Sequence, residues 1–395
     1  MNTVARIVGA APCRLWGIDG AERLRRQLAQ SGMVVIDDDM PLPATATRVV
    51  VANAAYLFEI LTLSGLAEHD RALLECPDDQ RIAAAVVPIA ELGTAIDTVR
   101  NSGRPAGDIT LLGPADLAGY DRRLRKSAPP LLTPVSVDQR EVLEARLYGN
   151  AYKGITDLIT KWAWPRPARA VVGWCARLGV TPNMVTLTGL MLVVVATCLF
   201  YAGAFASGLV CAWIMTLLDT VDGKLARVTV MSSRFGHILD HGIDLIHPPF
   251  WYAAWGLGLG MDSLMGLPIE TWCWLVGSGY VAGRLLEALF HQLGHCGIFA
   301  WRPFDAYFRL VTARRNPCLI ILTVLLAAGR ADLAFVGVAG WTLLSSAILM
   351  LRLLYAVGVR WRTGPLDSWL KDADRARREH PHAWRTFSAT RGAYR

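Results

Sequence analysis

At 395 residues the chain is long enough for two or three domains, and 53% hydrophobic with 18% charged residues is more apolar than an ordinary soluble domain. The formal net charge is +7, but no motif interleaves aromatic with basic side chains, so no nucleic-acid partner is expected. The eight cysteines (13, 76, 175, 198, 211, 273, 296 and 318) form no CxxC pair and several lie in apolar runs, which speaks against a disulfide or metal framework.

The N-terminus, MNTVARIVGAAPCRLWG, has neither a long apolar run nor a small-residue cleavage pattern, so no signal peptide is expected. Residues 1–145 alternate β-branched runs (VARIVGA, MVVID, RVVVAN, DITLLG) with helical patterns such as GAERLRRQLAQSG. That alternation predicts an α/β domain with a mainly parallel, Rossmann-like sheet. A Pro-containing stretch, SAPPLLTPVSVDQ, opens the passage towards the membrane part, and residues 146–180 form the connector. Within it, WAWPRPARAVVGWCARLG combines Trp, Arg and a helical apolar face, as an interfacial helix in the headgroup plane would; an ordinary amphipathic surface helix is the alternative.

No Asp, Glu, Lys, Arg or His occurs between Arg177 and Asp219. This interval holds two membrane spans of about 17–20 residues separated by YAGAFASG. Apolar stretches at 245–261, 271–290, 316–329 and 333–351 bring the expectation to six helices in a transmembrane domain over 181–358, two of them short unless extended by flanking residues. Lys153, Lys161, Arg166, Arg169 and Arg177 precede this domain and an Arg-rich tail, 359–395, follows it. An even span number returns that tail to the entry side, so a multi-pass protein of the cell inner membrane is expected, with N-terminal domain and tail cytoplasmic.

At the edge of the charge-free interval runs LLDTVDGKLARVTVMSSRFGHILDHGID, residues 217–244. Asp219 and Asp222 are three apart, Asp240 and Asp244 four apart, so on helices each pair shares a face. Converging carboxylates near lipid repel and are costly to desolvate. A bound cation is the simplest remedy, and hard oxygen ligands point to Mg²⁺ or Mn²⁺, with room for two ions roughly 3.5–4 Å apart. Gly223, Ala226 and Gly236 leave space for a flat ligand or phosphate, and Arg227 supplies a cation able to bind phosphate with two hydrogen bonds. Ion pairing of the acids with Lys224, Arg227 and Arg234 is the alternative, but it explains neither the glycines nor the spacing.

The stretch resembles, position by position, the pattern D-x2-D-G-x2-A-R-x8-G-x3-D-x3-D of the CDP-alcohol phosphotransferases. The resemblance covers roughly 150–357, including TPNMVT at 181–186. It implies a homodimeric six-helix enzyme that moves the phosphoalcohol part of a CDP-alcohol, such as CDP-diacylglycerol, to a hydroxyl acceptor such as inositol phosphate or another polyol, and releases CMP. It further implies that Asp219, Asp222, Asp240 and Asp244 hold two divalent ions and that Asp244 is the base. Asn183, Met184, Val185, Thr186, Gly223, Ala226, Arg227, Ser233 and Gly236 would form the CDP-alcohol site.

Arg302, Arg309, Arg314 and Arg315 precede another apolar stretch. The last three are candidates for binding an acceptor phosphate, or all four anchor the chain at headgroups. Arg284 and Glu287, three apart, read as a mutual pair. His291, His295 and Cys296 lack the remainder of a metal shell and read as an interfacial loop. The first domain faintly resembles nucleotidyltransferases fused to some members of the family. Its GxGTR-like loop is broken, since Gly9 is followed by Ala10 and Ala11 and no matching lysine occurs, so a degenerate domain, dispensable for the transfer, is expected; Asp37, Asp38 and Asp39 argue the other way. A bifunctional enzyme that makes its own CDP-alcohol is the rival reading.

Overall fold

In the segment RVVVAN alternate residues face opposite ways, and Val49, Val50, Val51 and Ala52 are all buried, so this strand is covered on both sides. Each buried valine contributes about 1.5–3 kcal/mol relative to exposure. The computed structural model describes residues 3–388 apart from 38–39, 102–108, 118–119, 122–123, 125 and 128–130. Asp38, Asp39 and the end of the basic tail therefore lie outside the described residues.

The N-terminal part is built on β1 (Thr3–Val8), β2 (Val34–Ile36), β3 (Arg48–Asn53), β4 (Tyr56–Phe58), β5 (Ala72–Glu75), β6 (Ile82–Pro88) and β7 (Thr110–Leu112). Six of them form one sheet in the order β2-β1-β3-β6-β5-β7. The helices α1 (Gly20–Gln30) and α2 (Ile60–Ala67) cover one face through Leu24, Leu28, Leu63 and Leu66, and α3 (Leu92–Asn101) covers the other through Ala95 and Val99. The α/β expectation is met, but the sheet is mixed: β1 runs parallel to β2 and β3, whereas β6 is antiparallel to both β3 and β5. The cause is local. Cys76–Pro77–Asp78–Asp79–Gln80 closes a tight turn, with the Cys76 N–H on the Arg81 carbonyl at 2.9 Å and Gln80 at φ +57°, and so short a connection permits only antiparallel pairing.

The connector comprises α4 (Arg140–Asn150) and α5 (Pro165–Leu178). Ala168, Val172 and Cys175 form the inner face of α5, Trp174 is 58% exposed, and Gly179 at φ +70° ends the helix. The rest is mainly helical, with a short antiparallel pair of Ser263–Leu264 and Leu267–Pro268 after the third of these helices: α6 (Pro182–Tyr201), α7 (Phe205–Val228), α8 (Arg234–Gly258), α9 (Ile269–Phe290), α10 (Pro303–Val311), α11 (Arg315–Ala327), α12 (Ala331–Thr363), α13 (Ala373–Glu379) and α14 (Pro381–Phe387).

Among the described residues α6, α7 and α12 are long and apolar enough to cross a membrane, and a fourth span is reached if α10 and α11, bent by 44°, count as one. The other two long helices carry polar cargo that lowers their hydropathy: Asp240, His241, Asp244 and His247 on α8, Arg284 and Glu287 on α9. The break expected at YAGAFASG lies between α6 and α7, and α12 extends well past its apolar stretch at the C-terminal end.

Backbone approach fixes how α6 and α8 meet. A Cβ placed on Gly258 would lie 1.9 Å from the Phe200 carbonyl oxygen. Gly258→Ala is therefore expected to lower stability by about 1–3 kcal/mol through overpacking, read as a fall in the thermal midpoint in detergent. An unchanged midpoint would refute that packing.

Candidate active site

The α7–α8 hairpin carries the four acids. Ser233 caps α8, its hydroxyl accepting the Gly236 N–H at 2.9 Å, as a helix start requires. Asp219, Asp240 and Asp244 converge so that one carboxylate oxygen of each lies within 4.8 Å of the others. No other trio of His, Cys, Asp or Glu among the described residues meets that condition. Asp222 is 4% exposed; its Oδ2 accepts the Thr186 hydroxyl at 2.7 Å, and its Oδ1 has neither solvent nor a hydrogen-bond partner. An orphaned carboxylate oxygen beside three more acids is a set of hard oxygen donors, which fits Mg²⁺ or Mn²⁺. Thr186, Gly189, Met215 and Ile243 complete the cleft above the acids.

Around this cleft the residues of the sequence motif are placed unequally. Asn183 lies over Gly236, where a Cβ would come 2.5 Å from its Oδ1. Val185 and Thr186 line the cleft, whereas Met184 is 53% exposed and does not. Gly223 leaves room for the Arg227 guanidinium, which would stand 3.1 Å from a Cβ there. Lys224 Nζ and Arg227 Nε both donate to the Ala151 carbonyl, at 3.0 and 2.8 Å, at the end of α4. Arg315, at the start of α11, brings a guanidinium to the acids. It donates to Asp219 Oδ2 and Asp244 Oδ1 at 2.5 Å each. The side chain of Arg234 lies outside the described ones.

Arg314 pairs with Glu287, which also binds Arg284 at 2.5 Å, so the expected Arg284–Glu287 pair exists within a larger group. Arg309 lies over the Phe299 ring, 5.5 Å from its centre. The Nε atoms of Arg314 and Arg315 are buried with no hydrogen-bond acceptor among the described residues. Their setting depends on Asp157, which sequence reasoning missed: it accepts from Asn316 Nδ2 at 2.9 Å and from the Thr160 N–H at 3.0 Å. Burial pushes the Asp157 carboxyl up, but the Arg309 guanidinium and the hydrogen bonds of Thr160 and Asn316 outweigh it and hold it below the usual range. A lone acid in the apolar segment GITDLITKW was the available signal. His295 bonds Asp367 at 3.2 Å and Cys296 is buried, in keeping with a loop rather than a metal site.

The β1–α1 segment of the first domain is packed against β3 and α4. Gly9 is closed over by Asn53, whose Oδ1 would be 2.2 Å from a Cβ. Trp16 turns away to α4, its backbone N–H on Glu144 Oε1 at 2.9 Å and its ring 6.0 Å from that of Tyr148.

Comparison with known proteins points to one family. Residues 179–359 match the family model described as CDP-alcohol phosphatidyltransferase. The chain is 31% identical over 218 residues to a phosphatidylinositol phosphate synthase of Mycolicibacterium smegmatis, covering 53% of this chain and 89% of that protein. It is similar to an archaetidylinositol phosphate synthase of Pyrococcus horikoshii at 31% identity, over 30% of this chain and 60% of that one. Cholinephosphotransferase 1 of Xenopus laevis matches at 32% identity over 29% of this chain and 30% of its own length.

Proposed function

The chain belongs to the CDP-alcohol phosphatidyltransferase family, and on that premise we propose that it transfers a phosphatidyl or related phosphoalcohol group from a CDP-alcohol, such as CDP-diacylglycerol, to the hydroxyl of inositol phosphate or another polyol. The observation that carries this is the convergence of Asp219, Asp240 and Asp244 beside the orphaned Asp222 Oδ1. Those four residues would hold two Mg²⁺ or Mn²⁺ ions. When bound, such ions supply positive charge that offsets the charge developing on the departing CMP phosphate.

The chain's own groups do the rest. Arg227, with the space at Gly223, Ala226 and Gly236, takes the diphosphate, and Asn183, Thr186 and Ser233 border the nucleotide, with Met184 and Val185 in the same turn of α6. Asp244 accepts the acceptor's hydroxyl proton as that oxygen bonds to phosphorus and the bond from phosphorus to the CMP oxygen breaks. Arg309, Arg314 and Arg315 face the acceptor, and the buried Nε donors of Arg314 and Arg315 favour one bearing an anionic group such as a phosphate. The surrounding fold is proposed as residues 181–358 in six spans within the cell inner membrane, forming a homodimer, with 1–145, the connector 146–180 and the tail 359–395 on the cytoplasmic side. A first domain that makes the donor is disfavoured by its broken loop, since Ala10 and Ala11 follow Gly9 and no matching lysine occurs.

The reading is tested by metal-dependent CMP release from CDP-diacylglycerol with inositol phosphate and, separately, other polyols as acceptors; no release with any divalent ion or acceptor would end it. Within it, Arg227→Ala removes a charged phosphate contact. The donor KM should rise about 10-fold or more, with a smaller effect on the acceptor KM. A donor KM that does not move would remove Arg227 from the site.

A further inference from the structure

The turn between the two acid-bearing helices has an unusual backbone. Beyond α7, Val230 sits at φ +51°, a left-handed conformation rarely adopted by a β-branched residue. The Met231 N–H returns to the Ala226 carbonyl at 2.8 Å, the closing bond of a helix end that glycine ordinarily occupies. Such an ending leaves the last carbonyls unpaired within the helix. Here three consecutive ones are taken up by a single helix of the N-terminal domain. Arg23 Nη2 donates to the Val228 carbonyl at 2.7 Å, Arg26 Nη1 to that of Thr229 at 2.8 Å, and Gln30 Nε2 to that of Val230 at 3.2 Å.

Positions 23, 26 and 30 share one face of α1, so a rigid helix presents all three donors together. Two guanidinium groups also meet the negative end of the α7 dipole. Arg23 is 4% exposed and makes a second bond to the Leu15 carbonyl at 3.1 Å. Alongside, Trp16 is packed in one cluster with Tyr148, Val172, Val221 and Leu225, so the contact extends from the carbonyls into the apolar side of α7.

We propose that the N-terminal domain is a positioning element of the donor site: Arg23, Arg26 and Gln30 hold the α7–α8 turn, and with it the placement of Gly223, Ala226 and Arg227 against Ser233 and Gly236. This rests on the reading of those residues as the CDP-alcohol site. It replaces the expectation that the first domain is dispensable, because a chain beginning near Tyr148 would leave three carbonyls and a left-handed valine without the helix that holds them.

The test uses the full-length chain, with Arg23, Arg26 and Gln30 all changed to Ala, and with Arg26→Ala and Arg26→Lys as single variants. Amide exchange at residues 228–233 is followed beside steady-state kinetics with CDP-diacylglycerol as donor probe and inositol phosphate as acceptor. Loss of three hydrogen bonds should speed exchange at the turn about 10-fold or more and raise the donor KM about 5- to 10-fold, with the acceptor KM within about twofold. Arg26→Lys should recover at least half of what Arg26→Ala loses. A purely structural role would lower kcat alone by reducing the active fraction, and that result overturns the proposal, as does any result in which exchange and donor KM do not move together. Should the triple variant not fold, the Arg26 pair is judged by the same two criteria. Wild-type protein that releases no CMP from CDP-diacylglycerol, CDP-choline or CDP-inositol sinks the parent reading; an active wild type with unaffected variants sinks only this one.

Discussion

Asp222→Asn is expected to reduce metal-dependent CMP release by about 10³-fold or more, and Asp219→Asn and Asp240→Asn by comparable factors. The substitution is nearly isosteric, so packing in the cleft should survive. An amide oxygen can still accept the Thr186 hydroxyl that Asp222 Oδ2 takes at 2.7 Å. What changes is the other atom: Oδ1, a buried acceptor without a partner, becomes an NH₂ group, which cannot ligate a hard cation and points two donors where a positive charge belongs. Lost function should therefore track lost ion binding. Mn²⁺ titration by electron paramagnetic resonance should show weaker or fewer ions in the variant, and excess Mg²⁺ or Mn²⁺ should partly restore one of the three variants. Activity within tenfold of wild type in any of them would count decisively against carboxylate-bound divalent ions as the basis of the reaction.

The reason this site was legible in the sequence is that its information is local. Spacings of three and four place Asp219 with Asp222 and Asp240 with Asp244 whatever the helices do next, and a short link ending at Ser233 joins the two helices that carry them. The same holds for the two-sided burial of β3 and the break between α6 and α7. What was hidden depends on elements distant in the chain. Arg315 reads as one of several basic residues before an apolar stretch, and nothing in its neighbourhood says that it reaches Asp219 and Asp244. The pairing of Asp157 with Asn316 spans 159 positions, and that of Arg23 with the Val228 carbonyl spans 205. The antiparallel β6 was missed for a different reason. Its turn lies in CPDDQ, a polar interval that reads equally well as a loop leading into a helix. Hydropathy, likewise, marks only the wholly apolar helices, and it undervalues α8 because that helix is spoiled by the residues that do the chemistry.

Asp244→Asn should behave differently from its three partners. Its side chain is 42% exposed at the mouth of the cleft, whereas that of Asp219 is 22% exposed and Asp222 is buried, so Asp244 is the acid most open to an incoming hydroxyl. If it takes the proton, the Asn variant keeps three carboxylates for the ions and leaves the donor contacts of Arg227 untouched. Rate should then fall by about 10²–10⁴-fold, the usual contribution of a general base, while Mn²⁺ and CDP-alcohol still bind. Arg315 supplies a control. It donates to both Asp244 and Asp219 at 2.5 Å, so Arg315→Ala frees Asp244 without removing its carboxylate, and whatever it costs in acceptor binding should appear in the acceptor KM rather than in the ability to form CMP at saturating acceptor. Single-turnover CMP release, measured beside donor affinity and Mn²⁺ binding for both variants, separates the roles. Should Asp244→Asn lose ion and donor binding as completely as Asp219→Asn, the residue is a ligand and not the base, and the proton must leave through another group in the cleft.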